Sequence, residues 1–143
     1  MSTPALDPFT GTWAFSAARS TLSTPSPRSW IQRIRASEAE VEVQEEILTA
    51  DGSWVTVAIQ ARFDARDYPV TGSPMADVIA YTRPDRHTIT GIAKKNGSVS
   101  LKETLRASAD GEVLTLSYSI HASTRELATG TAILERVRGD SLT

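Results

Sequence analysis

A chain of 143 residues without a single cysteine fits one domain that buries most of what it would expose unfolded and needs no disulfide to do so. The missing thiols exclude a cysteine nucleophile, a Cys-ligated zinc site and an iron–sulfur cluster. With 15 Lys+Arg against 17 Asp+Glu, a net charge of -2 and both signs interspersed, there is no basic stripe of the kind that grips nucleic acid.

The first eight residues, Met1-Ser-Thr-Pro-Ala-Leu-Asp-Pro8, hold neither a basic nor an apolar leader region, and no apolar run approaches the ~20 residues of a spanning helix. The expected setting is cytoplasmic, or periplasmic or secreted if an export signal preceded this sequence. Strands are then predicted over 12–16, 28–36, 40–49, 53–63, 77–82, 87–95, 98–107, 113–121 and 128–138. Ser37 to Leu48 has the composition of a helix, but Val41, Val43, Glu45 and Ile47 alternate with Glu42, Gln44, Glu46 and Leu48, a period of two. Val55, Val57, Ile59, Ala61 and Phe63 repeat that period against Thr56, Ala58, Gln60 and Arg62, as half-buried antiparallel strands do. Asp51-Gly52, Asn96-Gly97 and Asp110-Gly111 punctuate the runs, each a hairpin signal because such pairs accept the positive φ angles of a type I′ turn. Pro25-Ser-Pro27, Tyr68 to Pro74 and Arg83-Pro84-Asp85 read as loops.

Eight or nine sequential strands without a crossover helix make an all-β chain, an antiparallel up-and-down meander over 1–143 with short flexible tails. Closing it into a barrel removes the exposed edges, and a barrel of this size either fills with side chains or holds one small ligand. A two-sheet sandwich is the structural alternative.

Gly11-Thr12-Trp13 resembles the Gly-x-Trp signature of lipocalins and related calycins, and Phe63-Asp64-Ala65-Arg66-Asp67-Tyr68-Pro69-Val70-Thr71-Gly72 is similar to a stretch of a large group of bacterial lipocalin-like proteins in which Gly is common at the place of Ala65. Lys94-Lys-Asn-Gly97 and Ser108-Ala-Asp-Gly111 extend the likeness over most of the chain. The resemblance implies a barrel plugged at one end by Trp13, with a basic residue of the last strand, here Arg136, packed over its indole. It also implies a cavity for a small apolar molecule.

If the apolar parity faces inward, Glu45 and Glu103 go with it, and desolvated carboxyls suit ligand polarisation or acid–base work. Gln32 alternates with Trp30 and Ile34, while Tyr81 and Tyr118 fall near apolar faces. Trp30 and Trp54 stand near strand beginnings, where a side chain either lines the cavity mouth or faces out. The expected ligand contacts are therefore Trp30, Gln32, Glu45, Trp54, Tyr81, Glu103 and Tyr118. Asp64, Asp67, Tyr68, Pro69 and Gly72, with Gly11, Trp13 and Arg136, are expected to shape the barrel. His87 and His121 lie 34 positions apart and read as exposed, so no metal site is expected. Gly-x-Ser-x-Gly, P-loop, Rossmann and EF-hand patterns are absent, and no cofactor is expected. The principal expectation is binding of a small hydrophobic or amphipathic molecule in the barrel. The alternative is a cofactor-free isomerase, cyclase or dehydratase with Glu45 or Glu103 as general acid or base and Tyr118 as donor. A filled barrel that self-associates into homo-oligomers is the third.

Overall fold

The computed structural model describes residues 6–138; the tail after Arg138, expected to fray, lies outside them. Ten strands follow in chain order: β1 (Gly11–Thr21), β2 (Ser29–Ala36), β3 (Glu40–Leu48), β4 (Trp54–Arg62), β5 (Asp67–Thr71), β6 (Val78–Asp85), β7 (Thr88–Lys95), β8 (Ser98–Ala107), β9 (Val113–Ala122) and β10 (Arg125–Val137). Each pairs antiparallel with its chain neighbours, and β10 returns to β1 to close the barrel. The outward parity carries ion pairs such as Arg19–Glu135, Arg33–Glu46 and Arg62–Glu40, the reverse of a lipid-facing barrel wall. No helix of the described residues is long and apolar enough to cross a membrane.

The meander has ten strands where the sequence suggested eight or nine. The added strand is β5, inside the segment read as a loop because of Pro69. Val70 turns its N–H to the carbonyl of Asp77, just before β6, at 2.8 Å, so residue 69 faces β4, and β4 pairing begins only at Val70 and Thr71. A proline fits there because no ladder hydrogen bond is asked of it. Likewise Arg83-Pro84-Asp85 completes β6 across a register irregularity between Thr82 and Asp85. β1 also runs past residue 16. Its register on β10 breaks between Ser16 and Thr21, and Ser20 Oγ spans the break by accepting Ile133 N–H at 2.8 Å and donating to Ser16 O at 2.7 Å.

All three Asx-Gly pairs close hairpins, but only Asn96-Gly97 has both φ angles positive (51° and 83°), as a type I′ turn requires. In the other two loops only the glycine is positive. There Asp51 Oδ1 accepts Ser53 N–H and Asp110 Oδ1 accepts Glu112 N–H, each at 3.0 Å. The aspartates serve as side-chain acceptors inside longer loops.

One end of the barrel is closed. Trp13 is 0% exposed, gives its indole N–H to Phe9 O at 3.0 Å, and lies under Arg136, whose guanidinium carbon sits 4.3 Å from the ring centroid. Arg136 also donates to Thr10 O and Pro8 O, at 2.8 and 3.1 Å. The strand between them carries Gly11, where a Cβ would stand 2.2 Å from Arg136 Nη1. The segment Asp7 to Thr10 thus forms a lid over the closed end. A second arginine fastens it: Arg83 reaches Asp7 at 2.6 and 3.0 Å, gives a further hydrogen bond to Ser37 O, and is flanked by the rings of Phe9 and Phe63.

The central motif also belongs to this end and to the wall above it. Asp64 accepts Tyr68 O–H at 2.7 Å and Arg66 N–H at 3.0 Å, and the Tyr68 bond foremost holds its carboxyl below the usual range. Between those bonds Ala65 sits at φ 62°, a conformation that costs an L-residue about 1 kcal/mol and explains why glycine suits the position. Asp67 pairs outward with Lys94 at 3.3 Å. Gly72, at φ 87°, passes so close to Thr56 O that a Cβ would stand 1.9 Å from it.

Candidate functional site

Above the plug the interior is hollow. Ten strands enclose a wider bore than eight, and the half toward the 22–28, 49–53 and 72–77 loops holds a cavity of about 540 Å³. That lies within the roughly 300–1,000 Å³ of small-molecule sites. Inward positions supply mostly aliphatic wall: Val43, Val57 and Ile59 on one side, Ile79, Leu101 and Leu116 on the other. Trp13, Leu114 and Leu134 are fully buried in the core outside the cavity lining.

Two polar groups interrupt this wall. On β2 and β3, Gln32 stands opposite Glu45 in register. Glu45 Oε1 accepts both Gln32 Nε2–H at 2.8 Å and Trp30 Nε1–H at 3.1 Å. Trp30 is steadied by Phe15, with ring centroids 5.6 Å apart. Burial pushes the Glu45 carboxyl up from its ordinary value, and the Trp30 and Gln32 donors pull it partly back. Gln32 is 4% exposed, yet its Oε1 has no hydrogen-bond partner. A buried acceptor left so is costly and calls for a donor.

The second group is a single rung across five strands: Tyr81, Gly91, Glu103, Tyr118 and Gly130 stand opposite one another from β6 to β10. A glycine stands beside each tyrosine. A Cβ on Gly91 would lie 2.9 Å from Tyr81 Cε1, and one on Gly130 would lie 2.3 Å from the Tyr118 hydroxyl, so each tyrosine rests over the glycine beside it. Glu103, with a glycine on one flank, makes no hydrogen bond to the described residues. Loss of water raises its carboxyl to about 8, with the Glu45 charge as the lesser cause. Burial first, then Glu103 and Glu45, keep the Tyr81 hydroxyl well above its usual value, hence a neutral donor. In a ring of ten, β3 and β8 are five places apart, so the two carboxyls face each other across the bore.

Six of the seven expected contacts, namely Trp30, Gln32, Glu45, Tyr81, Glu103 and Tyr118, line this one cavity. Trp54 does not: Val55 takes the inward parity of β4, and Trp54 faces out, 65% exposed. His87 and His121, both expected to be exposed, are half-buried, and His121 is bonded to Ser119 at 2.7 Å. No group of three metal-ligating side chains forms among the described residues. Sequence reasoning passed over Gly91 and Gly130, although a glycine inside a strand is itself a sign of close approach. Compared with known proteins, the chain matches no family model and no curated protein.

Proposed function

We propose that the protein binds a small hydrophobic or amphipathic molecule inside the barrel. The observation that carries this is the cavity itself: about 540 Å³, aliphatic on most of its wall, with a few convergent polar groups to fix a ligand's orientation. The lipocalin-like reading of the sequence agrees with it, since Trp13 under Arg136 plugs one end and leaves the other for entry. A neutral apolar fluorophore, N-phenyl-1-naphthylamine, is expected to bind saturably at one site per chain with enhanced emission. Leu116→Trp, which projects a larger ring into the cavity, is expected to weaken that uptake at least tenfold while unfolding stays cooperative. No uptake by the wild-type chain would mean a filled interior and would end this reading.

A second reading draws on the unequal environments of the two carboxyls. Glu103 has no donor and its carboxyl is raised to about 8, whereas two donors work against the rise at Glu45, an inequality of environment of the kind that separates an acid from a base. On this reading the chain turns over a bound molecule without a cofactor, with Glu103 as proton carrier and Tyr118 as donor. Glu103→Gln would then remove turnover and spare binding; equal loss of both would count against catalysis.

A further inference from the structure

We propose that the molecule held in this cavity is a protonated amine on an apolar body, its ammonium set between Glu103 and the Gln32–Glu45 pair. The inference rests on the ligand-binding reading above and names the class of ligand. Charge is the first ground. The ionisable side chains on the cavity wall are Glu45 from β3, Tyr81 from β6, Glu103 from β8, Tyr118 from β9 and, at the mouth, Asp51; β7 and β10 contribute glycines to the rung, and no Lys, Arg or His lines the space. No cation in the wall offsets the two carboxyls.

The second ground is the count of donors and acceptors. Gln32 Oε1 is buried without a partner, Glu45 has one oxygen not engaged by Trp30 or Gln32, and both oxygens of Glu103 are open to the cavity side of the wall. Acceptors thus exceed donors at the Gln32–Glu45 pair, and at Glu103 the donors at hand are the Tyr81 and Tyr118 hydroxyls, neither of which is bonded to it. An ammonium supplies up to three N–H donors and a positive charge together. A carboxylate ligand would find no cation in the wall and would meet like charge once Glu103 is ionised. The aromatic side chains of Trp30, Tyr81 and Tyr118 line the same space, and aromatic rings attract cations.

The protonation of Glu103 sets the pH dependence. Its carboxyl titrates near 8 in the empty site, so binding an ammonium at neutral pH must release a proton. Affinity should therefore rise by up to about tenfold per pH unit until pH 8, then level off.

The test is a series with one apolar body, n-octylamine, 1-octanol and octanoate, titrated calorimetrically into the wild-type chain and Glu103→Gln at pH 6.5 and 8. Octylamine is expected to bind at least tenfold tighter than octanol at pH 8, octanoate to bind weakest, and the advantage of the amine to shrink at pH 6.5. Glu103→Gln is expected to lose the preference for the amine but keep octanol, which shows that its barrel is intact. Octanol or octanoate binding as tightly as octylamine at pH 8 overturns the amine assignment and leaves ligand binding standing. Failure of the whole series, together with failure of N-phenyl-1-naphthylamine, removes the ligand-binding reading and the amine with it.

Discussion

Replacing Arg83 with methionine is expected to destabilise the protein by about 3–5 kcal/mol, because it strands Asp7 as a buried, unpaired charge. The two side chains are 6% and 9% exposed and share a two-pronged ion pair. In solvent such a pair is worth little, but here each partner excuses the burial of the other. Arg83 also fills the space between Phe9 and Phe63, so its loss loosens the lid from both sides. Asp7→Leu combined with Arg83→Met removes both charges at once and should recover most of the loss, as buried pairs replaced by apolar residues often do. Urea unfolding of the two single variants and the double variant measures this. A single-variant cost below about 1 kcal/mol would mean that water already reaches the pair. Because the lid closes the end opposite the mouth, uptake of N-phenyl-1-naphthylamine by the folded double variant should remain near wild type.

The difference between this lid and the cavity wall shows what a sequence makes visible. Glu45 and Glu103 could be assigned inward because strand parity is local: once Val43 and Ile47, or Leu101 and Leu105, face the core, the residue between them follows. Gln32 and Tyr118 were placed by the same rule. Parity carried one residue back from Val55 sets Trp54 with Thr56 and Ala58 on the outer face, where its ring stands. Parity misses a strand interrupted by proline, as at Pro69, where the decisive fact is the direction of one missing N–H. Asp7 and Arg83 stand 76 positions apart, and no pattern around either announces the other. Their pairing follows only from closure of the barrel, which brings β6 beneath the N-terminal segment. The juxtaposition of Glu45 and Glu103 across the bore is of the same kind: both inward assignments were legible, but their opposition depends on the strand count that the sequence left two short or one short.

Glu103→Gln is expected to make the empty protein more stable at alkaline pH, by roughly 2–4 kcal/mol at pH 8.5, and to change little at pH 4.5. The sign follows from linkage. The folded chain holds the Glu103 proton up to about pH 8, whereas the unfolded chain releases it near 4.5. The folded form therefore binds more protons between these values, and its advantage, complete below 4.5, declines as pH rises and is gone above 8. Glutamine has the shape of the protonated acid and no proton to lose, so the variant escapes that decline. The figure is held below the full electrostatic cost because Glu103 is half-buried and its carboxyl borders a cavity wide enough for water. Urea midpoints at pH 4.5, 6.5 and 8.5 provide the check, and parallel curves for the two proteins would show that Glu103 is fully solvated. Glu45 is raised as well, but its two donors blunt the effect, so Glu45→Gln should gain less. On the proposed ligand-binding reading, a carboxylate without a hydrogen-bond partner, set between Gly91 and Tyr118, finds its counterpart in the ligand. An ammonium ligand would supply the missing charge and reverse the order of stability, so that at pH 8.5 saturating octylamine raises the midpoint of the wild-type chain more than that of Glu103→Gln.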